Sequence, residues 1–156
     1  MPFAYVDFMK RLMAPQPYPT QPNFLPPKLT PLRKPISEST IGIFTSAGVQ
    51  LANDKPLGET NDLSYRLISR DWPLSEMVIA HKTPVRLWAT QDINVAFPRD
   101  RLIELEREGT IGRLAPRSVS MVGSITKYTE LIQKTVPAIL NEFKSQQVDL
   151  VFLFPF

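Results

Sequence analysis

Val148-Asp149-Leu150-Val151-Phe152-Leu153-Phe154-Pro155-Phe156 is an apolar run that follows directly on a helical pattern. A short continuous apolar stretch fed by a helix reads as a buried strand of an α/β sheet. In open α/β sheets the ligand sits just outside the carboxyl ends of the strands. The run therefore points at the edge where such a domain builds its chemistry. Domain ends are commonly polar and frayed unless docked. An apolar tip here is expected either to be the last piece of a small sheet or to lead into something functional.

The pattern before it supports the same class. Tyr128, Leu131, Ile132, Val136, Ile139, Leu140 and Phe143 recur at helical spacing and predict a helix over about 127–145. Pro137 should kink that helix or restart it as a new first turn. A second helix is predicted at about 99–108, opened by Pro98, striped by Leu102, Ile103 and Leu105, and stopped by Gly109. Strands are predicted at Thr40 to Thr45, Tyr65 to Ile68, Met77 to Ala80 and Ser118 to Val122, bounded by small-residue turns such as Ser46-Ala47-Gly48 and Gly123-Ser124. Alternating strands and helices imply a three-layer α/β domain, Rossmann- or flavodoxin-like, with a mostly parallel sheet. No internal repeat or second domain is evident.

The folded body is expected to span residues 36–156, preceded by a proline-rich N-terminal arm over residues 1–35. Nine of the 16 prolines fall at positions 2, 15, 17, 19, 22, 26, 27, 31 and 35. Proline fixes φ and removes a donor, so residues 14–35 are read as extended, neither helix nor central strand. Phe3, Val6, Phe8, Met9, Leu12 and Met13 suggest a short amphipathic helix at the start of the arm. The arm is expected to pack over the domain or against a partner subunit.

Composition narrows the function. A chain of 156 residues with 43% hydrophobic and 21% charged content is one globular domain's worth. No run reaches the ~20 apolar residues that span a bilayer. Asp7, Lys10 and Arg11 interrupt any signal-peptide core, so a cytoplasmic location is expected. There is no cysteine and only one histidine, His81, which disfavours thiolate or zinc chemistry within these residues. The net charge is +3, but Arg99, Arg101 and Arg107 alternate with Asp100, Glu104, Glu106 and Glu108. That is a solvated helix face, and nucleic-acid binding is not expected.

Candidate site residues cluster after the predicted strands. Small residues in Thr45-Ser46-Ala47-Gly48-Val49-Gln50 would let amides approach an anion, and a plain structural turn fits as well. Neither a GxGxxG nor a P-loop pattern follows. His81 ends a predicted strand, although an isolated histidine is more often structural. Asp62, Ser64 and Arg66 would clamp a carboxylate through the guanidinium fork or form a surface network. Asn94, Asp100 and Arg101 flank a helix, with Asp100 expected to interact with its N-terminus. No nucleophile–base–orienter set is present.

These segments resemble a known family. Asp62-Leu63-Ser64-Tyr65-Arg66-Leu67-Ile68 is similar to the D-x-S-Y-R-x-I stretch of the glycine/sarcosine/betaine reductase selenoprotein B family, which includes D-proline reductase. Ile79-Ala80-His81 resembles its strand ending in His. Asp92-Ile93-Asn94-Val95-Ala96-Phe97-Pro98-Arg99-Asp100-Arg101-Leu102 and Glu108-Gly109-Thr110-Ile111-Gly112 resemble its D-x-N-V-x-F-P-x-D-R-L and E-G-x-I-G blocks. Ser120-Met121-Val122-Gly123 stands where it has an S-F-M-G-like turn, and Val148-Asp149-Leu150-Val151 where it has V-D-A-V. The resemblance covers about residues 40–156 and leaves the arm outside.

The resemblance implies a component of a selenocysteine- or thiol-dependent reductase that cleaves a C–N bond in an amino acid or its N-methylated derivative. It implies a small amino-acid-like substrate, a thioredoxin-like or other dithiol electron donor, and further reductase subunits or a second copy as partners. Ser46, Gly48, Arg66, Ser120 and Gly123 would line the substrate pocket, with Arg66 on the carboxylate and His81 as an auxiliary proton donor or orienting group. Two departures stand out. Where the family has a Tyr-Asp pair after its histidine, this chain reads Lys82-Thr83-Pro84-Val85-Arg86, which puts the substrate's identity in doubt. The strand at Leu150 to Phe154 leads, in the family, into a selenocysteine or cysteine redox motif. An in-frame UGA codon is therefore expected after Phe156, with the 156 residues alone inactive. The other reading is a non-catalytic small-ligand-binding or subunit-interaction domain.

Overall fold

The computed structural model describes residues 26, 28, 30–84 and 86–156. The helix expected at the start of the arm lies outside them. The chain is α/β, built on a five-stranded mixed sheet and a separate two-stranded ribbon.

β1 (Thr40–Thr45) is the centre of the main sheet. Its position follows from its residues, since Thr40-Ile41-Gly42-Ile43-Phe44-Thr45 is buried along almost its whole length, as a strand covered on both faces must be. β7 (Leu150–Phe154) runs parallel along one edge of β1, with Ile41 opposite Leu150 and Thr45 opposite Phe154. β5 (Arg113–Leu114) and β6 (Arg117–Ser120) run parallel along the other edge. The register slips by two residues between them, at Ala115-Pro116. Proline has no ladder donor, so a break is expected there. β3 (Arg66–Ser69) then pairs antiparallel with β6. The sheet is thus mixed rather than parallel throughout. Among the described residues no strand pairs the outer edge of β7, and Phe152 and Leu153 on it are exposed.

Side chains alternate across a strand, so each face of the sheet has its own core. Ile43, Ile68 and Leu114 join Val49, Ile79, Ala89, Ala96 and Phe97 on one face. That face is covered by the ribbon of β2 (Val49–Leu51) and β4 (Met77–Ile79), and by α1 (Arg86–Gln91) and α2 (Arg99–Arg107). Phe44, Leu67, Val119 and Val151 face the other way, onto Ile139 and Phe143. The covering helix begins as α3 (Tyr128–Glu130), widens into a π turn at Leu131–Thr135 and ends as α4 (Val136–Ser145).

The long helix, the 99–108 helix and the strands at β1, β3, β4, β6 and β7 lie where the sequence predicts them, within a residue or two. β2, β5 and α1 do not follow from the sequence pattern. Each is six residues or shorter, too short to show a period. Among the described residues no helix is long and apolar enough to cross a membrane.

Candidate functional site at the carboxyl ends of the strands

The site is assembled by the turn that ends β1. Thr45 is fully buried, and its hydroxyl donates to the Ala96 carbonyl at 2.8 Å while accepting from the Ala47 amide at 3.2 Å. Beyond it the chain reverses through Gly48, whose φ of 66° is in the region that suits glycine. A Cβ at Gly48 would also lie 2.5 Å from Val122 Cγ2. This turn stitches three segments together. Gly48 N–H donates to the Met121 carbonyl (2.9 Å), and Ala80 N–H and His81 N–H donate to the Gly48 and Ala47 carbonyls (2.9 and 3.1 Å). The turn therefore sets where His81 emerges from β4.

Ser46, His81, Gly123 and Phe156 come together there. Gly123 N–H donates to the Ser46 carbonyl at 3.0 Å. A Cβ on Gly123 would lie 3.1 Å from His81 Nε2 and 3.8 Å from Ser46 Cβ, so the missing side chain lets the imidazole pack against main chain. Phe156 N–H donates to Ser46 Oγ at 2.9 Å, and its ring meets His81 edge-on with centroids 6.2 Å apart. The Nδ1 atom of His81 is buried without a hydrogen-bond partner. Burial also holds the His81 pKa below its usual 6.5, so the ring is neutral at neutral pH. The unpaired nitrogen is a buried polar atom short of a hydrogen bond among the described residues.

The turn amides have no such vacancy. Those of Ser46, Ala47, Gly48 and Gly123 donate respectively to Phe154 O, Thr45 Oγ1, Met121 O and Ser46 O. The turn is a structural junction, and the unpaired polar atoms near it, His81 Nδ1 and Ser120 Oγ, are buried side-chain atoms.

Ser120 and Arg66 sit next to this cluster. Ser120 is opposite Thr45 across β1–β6 and opposite Arg66 across β3–β6, so the three side chains share a face. Ser120 is fully buried and its hydroxyl has no partner. Arg66 donates to the Tyr65 and Lys55 carbonyls at 3.2 and 2.6 Å, using two of its five donors. Asp62 and Ser64 belong to the loop itself. Asp62 accepts from Ser64 Oγ (2.6 Å), Ser64 N–H (2.9 Å) and Gly58 N–H (2.6 Å). Burial opposes ionisation of Asp62, but these bonds and Arg66 outweigh it and hold the carboxyl below its usual range.

The third predicted group lies elsewhere. Asp92 accepts from both the amide and the side chain of Asn94 at 3.0 Å. Asp100, expected to serve the helix N-terminus, is taken up by the buried Arg99 guanidinium at 2.9 and 3.0 Å, while Arg101 pairs with Glu104. Among the described residues no three His, Cys, Asp or Glu side chains are placed to hold a metal. A concavity of about 610 Å³ lies at the opposite ends of the strands among Lys34, Thr40, Arg113 and Asp149. It is an ion-paired surface, with Lys34 bonded to Asp149 at 2.7 Å.

Sequence reasoning missed Asn61 and Ser124, which have φ of 53° and 58° beside Gly123. Asparagine next to aspartate in a loop is a signal for that conformation. For Ser124 there was none.

Residues 9–155 match the family described as Glycine/sarcosine/betaine reductase selenoprotein B. The chain is 32% identical over 128 residues to the D-proline reductase subunit gamma of Acetoanaerobium sticklandii, covering 82% of this chain and 53% of that protein. It is 30% identical over 128 residues to the glycine reductase complex component B subunit gamma of Carboxydothermus hydrogenoformans, covering 79% of this chain and 29% of that one. The chain thus spans about half the length of the first relative and less of the second. No solved structure matches it. The family match over residues 9–155 and the similarity to these two proteins show that the chain belongs to the glycine/sarcosine/betaine reductase selenoprotein B family.

Proposed function

We propose that this chain is a component of a selenocysteine- or thiol-dependent reductase complex acting on an amino acid or N-methylated amino acid by reductive C–N cleavage. The family membership and the named relatives, both subunits of reductases, support the class. The observation that carries the reading is the convergence of Ser46, His81, Gly123 and Phe156 at the carboxyl ends of β1, β4, β6 and β7, where ligands of open α/β sheets sit.

In this reading a selenocysteine or cysteine redox centre works at this edge of the sheet. The hydrogen bond from Phe156 to Ser46 and the edge-on contact of its ring with His81 fix Phe156 beside the imidazole. A selenolate or an activated thiolate supplies a strong nucleophile at neutral pH. The remaining work falls to this chain. Arg66 and the buried Ser120 hydroxyl bind the substrate carboxylate, with Gly48 and Gly123 as close walls. His81 orients the substrate nitrogen through a hydrogen bond or, once protonated, delivers a proton to it as the leaving amine. A dithiol, thioredoxin-like or small, supplies two electrons and leaves as a disulfide. Cytoplasmic, reductase-subunit or self-associated assembly belongs to the same reading.

In the full-length protein, His81→Ala is expected to lower turnover by about 10²-fold or more, the scale of general acid–base catalysis, with Arg66→Ala acting mainly on substrate affinity. Assays with glycine, sarcosine, betaine and D-proline, using dithiothreitol as donor, test this. Untouched turnover in both variants would remove these residues from the mechanism.

A second reading is favoured by one observation. No nucleophile–base pair exists among the described residues, and the turn amides are all internally bonded. A non-catalytic ligand-binding or subunit-interaction domain would look the same. Substrate binding without turnover in the native protein would select it.

A further inference from the structure

Two loops meet over the His81 cluster, and both are held in the left-handed region by residues other than glycine. Asn61 has φ 53° and Ser124 has φ 58°. Such residues carry local strain and persist where their surroundings over-determine them. Here the surroundings are each other. The Asn61 amide donates to the Ser124 carbonyl at 3.2 Å. The single side-chain oxygen Oδ1 of Asn61 accepts from Thr126 N–H at 2.7 Å, Thr126 Oγ1 at 3.1 Å and Lys127 N–H at 3.2 Å. The 123–127 segment is pinned at its other end by Gly123 N–H on the Ser46 carbonyl. The residue pinned at that end is the glycine that packs against His81 Nε2.

We propose that Asn61 is a positioning residue for the His81 pocket, acting through the 123–127 segment to hold Gly123 against the imidazole. The inference rests on the reading that the surroundings of His81 are the functional site. Asparagine suits the role on two counts: its side chain tolerates the left-handed region, and its amide oxygen can take several donors. Serine at 124 has no comparable preference, so the clasp supplied by Asn61 is what holds it there.

The two requirements separate by substitution. Asn61→Gly keeps the backbone conformation and deletes the acceptor, whereas Asn61→Asp keeps an acceptor oxygen in place. His81 is the only histidine among these 156 residues, so its ring resonances in this chain report on its surroundings alone. Asn61→Gly is expected to raise amide exchange at Thr126 and Lys127 by about tenfold, the factor for one ordinary hydrogen bond. It should also shift the His81 ring resonances and move the titration midpoint up toward the ordinary value, and Asn61→Asp should restore the amide protection and the ring resonances. Unchanged His81 resonances and midpoint in Asn61→Gly would overturn the proposal, leaving Asn61 a loop staple. If glycine at 61 prevents folding, Thr126→Ala removes one donor and asks the same question, and unchanged His81 resonances there would overturn it too. Turnover is not read, so failure of the reductase reading leaves this result standing.

Discussion

Gln147 closes α4 at φ 55°, with its amide on the Lys144 carbonyl (3.0 Å) and the Val148 amide on the Phe143 carbonyl (3.1 Å). This is a helix C-terminal motif whose left-handed residue is usually glycine. Gln147→Gly should therefore stabilise the protein by about 1 kcal/mol, seen as a higher urea midpoint at unchanged slope. His81 makes a prediction about pH. Its folded pKa lies below 6.5 through burial, so the unfolded chain takes up the proton first as pH falls. The associated stability is whole above that value and is lost as pH drops through 6.5 toward the folded pKa. Asp62 is held below 3.8, so its contribution is lost only at lower pH and does not overlap. His81→Gln is expected to shrink the fall in Tm between about pH 7.5 and about pH 5.5. An equal fall in both proteins would contradict the burial of the neutral ring. At this scale the sequence shows residue types but not partners. Ser46, His81 and Gly123 are legible as strand-end residues, while the use of Arg66 on main-chain carbonyls depends on a loop fold that no spacing encodes.

Pro137 shows how an element absorbs a local conflict. A proline inside a helix offers no N–H to the carbonyl four residues back and presses its ring against it. That carbonyl belongs to Gln133, within the π turn at Leu131–Thr135, and regular α bonding restarts at Val136 with Pro137 in its first turn. The wider turn makes room where a sharp kink would otherwise form. The helix stays continuous enough for Ile139 and Phe143 to reach Val119 and Met121 on the sheet. Phe143 is buried there at 6% exposure, and Phe143→Ala should cost about 3–4 kcal/mol in denaturant unfolding. A loss under about 1 kcal/mol would mean that the helix is not docked as described. The long helix and β1 were legible because their apolar periods run over several turns or a whole strand. β2 at three residues and β5 at two exist only by virtue of the strands they pair with, which is tertiary information.

In the whole molecule three parallel strands of the main sheet and one strand of the ribbon bring their carboxyl ends to one place. β1 brings Ser46, β4 brings His81, β6 brings Ser120 and then Gly123, and β7 brings Phe156 back onto Ser46. The α/β class and this convergence follow from the apolar run at 148–156 and the alternation before it. The antiparallel β3 and the ribbon over one face do not, because strand direction is decided by pairing. The central proposal is that this arrangement forms part of the site of a selenium- or sulfur-dependent reductase. The 156 residues contain no cysteine and have a mass of 17.7 kDa, so a thiol- or selenol-specific label has nothing to react with among them. The most direct measurement is the intact mass of the protein isolated from its own cells, after reduction and treatment with iodoacetamide at mildly acidic pH. The account predicts an alkylated selenol or thiol in the isolated protein or in a reductase subunit that stays bound to it. Absence of any alkylated species from both would contradict it.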